Sequence, residues 1–278
     1  MDKRTNDVPF DIRDRRAMVS LGPLNETQYC TYMCPFCYVQ AGFLSYRNLT
    51  IPKIFSWLEE RKSEFDIIYI SGDTDSFAPP RTKTALELLE TLLQLKKDVL
   101  FTTRAVLDEE DMNRLSDIAQ KYNEEKLMLF GCVSITSWTV GGIEPTAVPS
   151  PEKRVEELRK FKDMGIIPIL AMRPFIPNVP MSDYQLILEK TLGLVEVVLG
   201  ESWYVDREGK LERRTLKNCK LESFTLCKMP FDDNEKIWKR YDGIDQKAFC
   251  EKWCKQHDVL FFMRSLPAIK QLKERRRK

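Results

Sequence analysis

The sequence predicts an α/β protein built on a parallel sheet, with the order of a full or partial (β/α) barrel. Strand-like and helix-like segments alternate from about residue 17 to about residue 200, which implies parallel strands joined by helical crossovers. Polar residues follow the strand-like runs, where barrels of this kind carry their chemistry. The first strand-to-helix turn holds cysteines and not the glycine-rich phosphate loop of a doubly wound open sheet, the alternative fold.

The elements follow in order. Ala17 to Leu21 is a short apolar run and reads as the first strand, with the cysteine loop directly after it. Ile51 to Arg61 carries Ile51, Ile54, Phe55 and Leu58 at helical spacing. Asp66 to Ile70 reads as a buried strand stopped by Ser71-Gly72, and Thr84 to Leu95 as an amphipathic helix. Val99 to Thr103 is strand-like, Glu109 to Tyr122 helical, and Leu127 to Thr136 the next strand. Pro151 opens a helix, where its missing N–H does no harm, and Gly165 closes it. Ile166 to Met172 is a strand and Met181 to Val198 a helix. Beyond residue 200 the pattern changes: Trp203 to Leu211 reads as a hairpin turning at Glu208-Gly209, followed by a cysteine-bearing extension.

Three regions result: an N-terminal segment 1–16, a barrel core 17–200 and a C-terminal extension 201–278. The chain has 278 residues, 43% hydrophobic and 31% charged, ordinary values for a soluble protein. No apolar run reaches the length of a membrane span, so no membrane partner is expected. The charged stretch Met1–Arg16 is expected to be neither a signal peptide nor an anchor. Eight cysteines without a secretory signal point to a reducing, cytoplasmic setting and to metal or cluster chemistry. A net charge of +2 argues against extended duplex binding, which needs several phosphate contacts. The basic tail from Lys270 to Lys278 reads as a solvated helix end, with contact to nucleic-acid phosphates as the other reading.

Chemistry concentrates at Cys30, Cys34 and Cys37, a C-x3-C-x2-C run with Phe36 before the last cysteine. Three thiolates this close suit an iron–sulfur cube, normally held by four. The next cysteine, Cys132, is far along the chain on a strand, where a buried thiol is common. A cube held at three corners leaves one iron open to a small molecule. Structural zinc usually takes four ligands, often as two pairs, and no partner pair follows at that distance. Disulfides between cysteines so near in sequence would close strained loops.

This run resembles the signature of the radical S-adenosylmethionine (SAM) superfamily. The resemblance implies a [4Fe–4S] cluster on Cys30, Cys34 and Cys37 and SAM chelated to the open iron. It also implies reductive cleavage to a 5′-deoxyadenosyl radical, a reductant such as flavodoxin or ferredoxin, and a partial (β/α)6 TIM-like barrel of the radical SAM type. The strand ends then supply candidates for SAM. Gly72 allows close backbone approach, and Asp73 or Asp75 can accept from the ammonium group, in a stretch like the family's Gly-Gly-Glu. Arg104 suits the SAM carboxylate; the Ser134 and Thr136 hydroxyls suit a ribose or a carboxylate, Arg173 suits the ribose or the substrate, and Phe36 belongs to the same cofactor set. The wider pattern is similar to the spore photoproduct lyase-like branch. It is carried by the Cys30–Tyr38 loop, Thr102-Thr103-Arg104, Ser134-Ile135-Thr136 with Glu144-Pro145, Pro149-Ser150-Pro151 with Arg154, and Arg173 to Pro177. One departure stands out. The lesion-repairing lyase carries a hydrogen-donating cysteine near the end of its second strand, where this chain reads Tyr69-Ile70-Ser71-Gly72.

Cys219, Cys227, Cys250 and Cys254 form a second group and a candidate second site, for an auxiliary [4Fe–4S] cluster or zinc. Cys250 and Cys254 fall one helical turn apart, with His257 a turn further. Buried structural thiols are the other reading. The expected activity is hydrogen abstraction from a small, nucleotide-derived or natural-product-like substrate. Modification or repair of a nucleic-acid base by the same chemistry is the alternative, and a non-catalytic electron-relay protein is the third reading. The tryptophans Trp203, Trp238 and Trp253 are candidates for stacking a base or for the core.

Overall fold

The computed structural model describes residues 11–21, 24, 30–41, 50–72, 74–139, 141–217, 221–229 and 236–277. By contact the chain divides into two compact units: Met1–Tyr32, Leu44–Val133 and Glu156–Pro168 in the first, and Met33–Phe43, Ser134–Val155 and Ile169–Lys278 in the second.

In the first unit β1 (Asp11–Arg13) runs antiparallel to β2 (Arg16–Val19). From β2 the strands are parallel and in sequence order, through β3 (Ile67–Ile70) and β4 (Asp98–Thr103) to β5 (Leu129–Ser134). Ala17 pairs with Ile68, Ile68 with Val99 and Val99 with Leu129. All four residues of β3 and all six of β5 are buried, as expected of parallel strands covered on both faces. The crossovers are α1 (Ile51–Glu60), α2 (Thr82–Leu92) and α3 (Glu109–Glu124). Ile51, Ile54 and Leu58 form the buried stripe of α1. Asp108 caps α3 by accepting the Asp111 N–H at 2.9 Å, and Glu109, Glu110 and Asp111 favour the positive end of the helix dipole. The next helix, α4 (Pro151–Asp163), ends before Gly165, whose φ of +77° is the left-handed conformation of a helix stop. Gly131 is required on β5, because a Cβ there would lie 2.5 Å from the Phe161 ring.

In the second unit β6 (Ile167–Met172), β7 (Val197–Gly200) and β11 (Leu260–Phe262) run parallel in that order. Helices α5 (Met181–Thr191), α7 (Ile244–Gln256) and α8 (Ser265–Arg277) belong with them. A separate antiparallel sheet has the order β8 (Trp203–Asp206), β10 (Ile237–Tyr241), β9 (Thr225–Lys228). The short helix α6 (Lys210–Leu216) follows β8. Asp206 starts it by accepting the N–H groups of Lys210 and Leu211 at 2.8 and 2.7 Å.

The α/β class with a mostly parallel sheet is as the alternating pattern predicts. Two local expectations are corrected. The helix expected to reach Val198 stops at Thr191, Gly193 takes a φ of +77°, and the β-branched run beyond it becomes strand β7. The expected hairpin over Trp203–Leu211 is a strand followed by a helix: β8 pairs with β10, and Gly209 leads into α6. Among the described residues no helix is long and apolar enough to cross a membrane. In the basic tail Arg275 pairs with Asp258 at 3.1 Å, and Arg276 pairs with Glu196.

Candidate functional site

The cysteine loop is organised by backbone hydrogen bonds. The Cys37 N–H donates to the Cys34 carbonyl at 3.1 Å, closing a tight turn over Pro35-Phe36, and a 3-10 turn over Tyr38–Ala41 follows. Cys34 is buried, and Cys30 and Cys37 are half-buried. None of the described cysteines is in a disulfide. The Cys30 sulfur receives the backbone N–H groups of Asp75 and Tyr32. Burial, and then the charge of Asp75, push the Cys30 thiol above its ordinary pKa, against those N–H donors and the Arg104 guanidinium. A bound cation reverses that balance, since metals deprotonate the thiols they ligate.

In the first unit the ends of β3 and β4 are locked together by Asp75. One carboxylate oxygen accepts the Phe77 N–H at 3.1 Å and the Thr103 hydroxyl at 2.9 Å. The other accepts the Arg104 N–H at 2.6 Å and lies 3.1 Å from the same hydroxyl. Burial raises the Asp75 pKa, and these donors oppose the rise. Three donors of its own fold therefore occupy most of the roughly four acceptor sites of Asp75. Gly72 is exposed, and Asp73 lies outside the described residues. Arg104 is half-buried at the end of β4, its guanidinium close enough to act electrostatically on both Asp75 and Cys30. A fully buried carboxyl, Glu157 on α4, holds the segment after β4 by accepting the Leu107 N–H at 3.1 Å. Its second oxygen has no partner, and burial pushes its pKa up to about 7.

In the second unit Ser134 and Thr136 are buried, and the Thr136 hydroxyl donates to the Arg173 carbonyl at 3.0 Å. Arg154, 1% exposed, donates to the Ser134 carbonyl and grips Glu144 through two nitrogens, one of them at 3.0 Å. This pair gives a structural reason for Glu144 and Arg154 in the sequence pattern. Asp183, in the first turn of α5 and 1% exposed, gathers the loop after β5. One of its oxygens accepts the Ser137 hydroxyl and the N–H groups of Trp138 and Thr139 at 2.7–2.9 Å, and the other accepts the Thr139 hydroxyl at 2.6 Å. Burial alone would raise the Asp183 carboxyl, but these donors outweigh it and hold its pKa below the usual carboxylate value.

The C-terminal cysteines are distributed unevenly. Cys250 and Cys254 are buried one turn apart on α7. Burial pushes the Cys254 thiol up to about 12 and the Cys250 thiol further, with Cys254 adding to the latter. Cys227 is on β9, half-buried, where the Arg240 charge acts on it. Cys219 lies outside the described residues. His257 ends α7, with Nδ1 2.8 Å from the Trp253 carbonyl and its ring stacked on Trp253 at 3.9 Å. Trp203 and Trp238 are core residues, 1% and 0% exposed.

Among the described residues no three His, Cys, Asp or Glu side chains stand gathered as a metal-binding group. The fit of Cys30, Cys34 and Cys37 to a cluster therefore rests on the donor set: three thiols on one short loop, with backbone N–H groups aimed at the first. Sequence reading missed Asp183, Glu157 and the hydrogen bond that the Trp203 indole N–H donates to the Phe36 carbonyl. Each acts on a segment distant in sequence, and only the first-turn position of Asp183 behind Pro180 was a local signal.

A sequence profile of the radical SAM superfamily matches residues 24–190. The uncharacterised protein ORF301 of Acidianus two-tailed virus is 27% identical over 187 residues, which cover 60% of this chain and 60% of that protein. The chain thus matches less than two thirds of the length of this curated relative. Spore photoproduct lyase complexed with dinucleoside spore photoproduct superposes with a TM-score of 0.66 at 15% identity, over 93% of this chain and 79% of that one. The radical SAM methyltransferase TsrM from Kitasatospora setae, with tryptophan and a SAM analogue bound, gives 0.56 at 11% identity, over 86% and 53%. At these identities the structural likeness establishes a shared fold.

Proposed function

Because the chain belongs to the radical SAM superfamily, whose members use a [4Fe–4S] cluster and SAM, we propose that it is a radical SAM enzyme acting on a nucleotide-derived substrate. The observation that carries the reading is the profile match over residues 24–190, which includes the complete C-x3-C-x2-C run at Cys30, Cys34 and Cys37. When bound, the cluster and SAM supply reductive cleavage to a 5′-deoxyadenosyl radical that abstracts hydrogen from the substrate. The chain's own residues do the rest. Cys30, Cys34 and Cys37 would hold the cluster as thiolates. The N–H groups of Asp75 and Tyr32 stabilise the sulfur charge on Cys30. Arg104 offers a guanidinium to the SAM carboxylate, and Asp75 fixes the peptide that carries it. An external one-electron donor such as flavodoxin or ferredoxin is required by the chemistry.

The substrate class is supported by the likeness to spore photoproduct lyase complexed with dinucleoside spore photoproduct. Tyr69-Ile70-Ser71-Gly72 offers no thiol at the end of β3, so the chemistry after hydrogen abstraction differs from that lyase's.

Anaerobic reconstitution followed by SAM and dithionite tests the reading. The expected result is about four irons per chain and release of 5′-deoxyadenosine. Substitution of Cys30, Cys34 and Cys37 by alanine should abolish both. A triple variant that still forms 5′-deoxyadenosine overturns the assignment. Deuterium transfer into 5′-deoxyadenosine from labelled nucleosides, dinucleotides or short single strands identifies the substrate class.

A further inference from the structure

The geometry points to Trp203 as a positioning residue for the cluster loop, acting from outside the loop on the peptide between Cys34 and Cys37. The inference rests on the cluster assignment above and extends it to a side chain with no place in the cysteine motif. Within that motif few backbone groups are available to fix the turn. Pro35 has no N–H, and the Cys34 carbonyl is taken by the Cys37 N–H at 3.1 Å. The Phe36 carbonyl, on the peptide that leads into Cys37, accepts the Trp203 indole N–H at 3.0 Å. Both residues are buried, at 1% exposure for Trp203 and 4% for Phe36. An indole N–H is a donor only, and in a buried setting losing its acceptor is costly, so each partner holds the other in place.

Trp203 is itself rigidly mounted. It sits on β8, opposite Tyr241 of β10. Asp206, at the end of the same strand, starts α6. Both β8 and α6 pack on the 3-10 turn Tyr38–Ala41 that follows Cys37. The orientation of the Phe36–Cys37 peptide, and hence the aim of the Cys37 sulfur, is set by the strand and helix after residue 200. Losing a group that orients a ligand in this way typically costs a metal site about 10–100-fold in affinity or activity.

Trp203→Phe removes the N–H and keeps a ring. Trp238→Phe is the matched control, because Trp238 is fully buried in the same small sheet without this bond to the loop. The measurements are apoprotein melting, iron loss to a chelator after anaerobic reconstitution, and the electron paramagnetic resonance spectrum of the reduced cluster with and without SAM. Trp203→Phe should release iron about 10-fold faster than both wild type and Trp238→Phe, with an altered spectrum, at a temperature well below the melting of all three apoproteins. Iron loss and spectra equal to the control's would overturn the inference. Should Trp203→Phe fail to fold, the wild-type indole N–H, labelled with ¹⁵N and assigned by substituting the other tryptophans, decides the matter. It should be protected from exchange in apoprotein and broadened on cluster assembly, and an unaffected signal overturns the proposal. Wild type that takes up no iron overturns the proposed function and this inference with it. Loaded wild type with an inert Trp203 overturns this inference alone.

Discussion

Replacing Asp183 tests whether the loop after β5 is held by one carboxylate. Its oxygens accept two backbone N–H groups and two hydroxyls, all at 2.9 Å or less. Alanine removes every acceptor. The two hydroxyls can rotate to other partners, but the Trp138 and Thr139 N–H groups cannot, and orphaned donors cost about 1–3 kcal/mol each. Thr139 is exposed and partly rehydrated, so Asp183→Ala should lose about 2–4 kcal/mol. Asparagine behaves differently. Both N–H groups and the Ser137 hydroxyl converge on one oxygen, which the amide oxygen replaces. The amide NH2 then faces only the Thr139 hydroxyl, which can turn to accept. Asp183→Asn should therefore cost about 1 kcal/mol, the loss of charge assistance alone. Urea unfolding at pH 7 measures both. The pH dependence has a definite sign: a carboxyl depressed in the folded state stabilises above its unfolded pKa, and that stability is lost as pH falls through the folded value. The gap between wild type and Asp183→Asn should close on acidification. Equal losses for alanine and asparagine at pH 7, or a gap that widens in acid, would refute the reasoning.

Arg104→Ala should weaken SAM binding by about 1.5–3 kcal/mol, the worth of a charge-assisted hydrogen bond, with iron content unchanged by analysis. Unchanged SAM affinity in calorimetry would move the role to Arg173. Glu157 carries the opposite sign to Asp183: its carboxyl is raised to about 7, so the folded state loses stability as pH rises from the unfolded pKa through that value, then levels off. Across that window Glu157→Gln should remove a slope of roughly 3 kcal/mol at most, read as flatter urea midpoints from pH 5 to 8. Cys250 and Cys254, buried with raised thiols, should react with iodoacetamide only on unfolding. Metal retained by the Cys30, Cys34 and Cys37 triple variant would instead establish a second site.

Much of the fold was legible because the parallel strands are apolar on both faces and the helices have clear stripes and stops, as at Ile51–Leu58 and Gly165. Legibility failed where local propensity was overruled from a distance. Val197 and Val198 continue a helical pattern in sequence but join the sheet as β7. Trp203–Leu211 looks like its own hairpin, yet β8 finds its partner in β10, more than thirty residues on. At the site, the cysteine spacing announces itself because all its donors lie on one loop. Asp75 and Asp183 could be seen as carboxylates but not as ones committed to the fold, because their donors come from other segments: Thr103 and Arg104 for the first, Ser137 to Thr139 for the second. Sequence shows which groups are present at a strand end, and packing decides which of them are already committed.

That distinction gives a sharp test at Asp75. If its function is to meet the SAM ammonium group, neutralising it should weaken SAM binding and leave apoprotein stability alone. The structure gives the opposite expectation. Each Asp75 oxygen accepts a backbone N–H, Phe77 on one and Arg104 on the other. An asparagine there cannot satisfy both, because its NH2 must face one of them, donor against donor. This is where Asp75 departs from Asp183, whose second oxygen meets only a hydroxyl. Asp75→Asn should therefore destabilise apoprotein by about 2–4 kcal/mol, one orphaned N–H plus the lost charge assistance. It should also loosen the Arg104 peptide, so that SAM affinity falls together with stability. Thermal unfolding of apoprotein, run beside Asp183→Asn as the tolerated counterpart, separates the two roles. An Asp75→Asn apoprotein that melts with wild type while SAM affinity falls would return this carboxylate to the ligand and refute its assignment as the lock between β3 and β4.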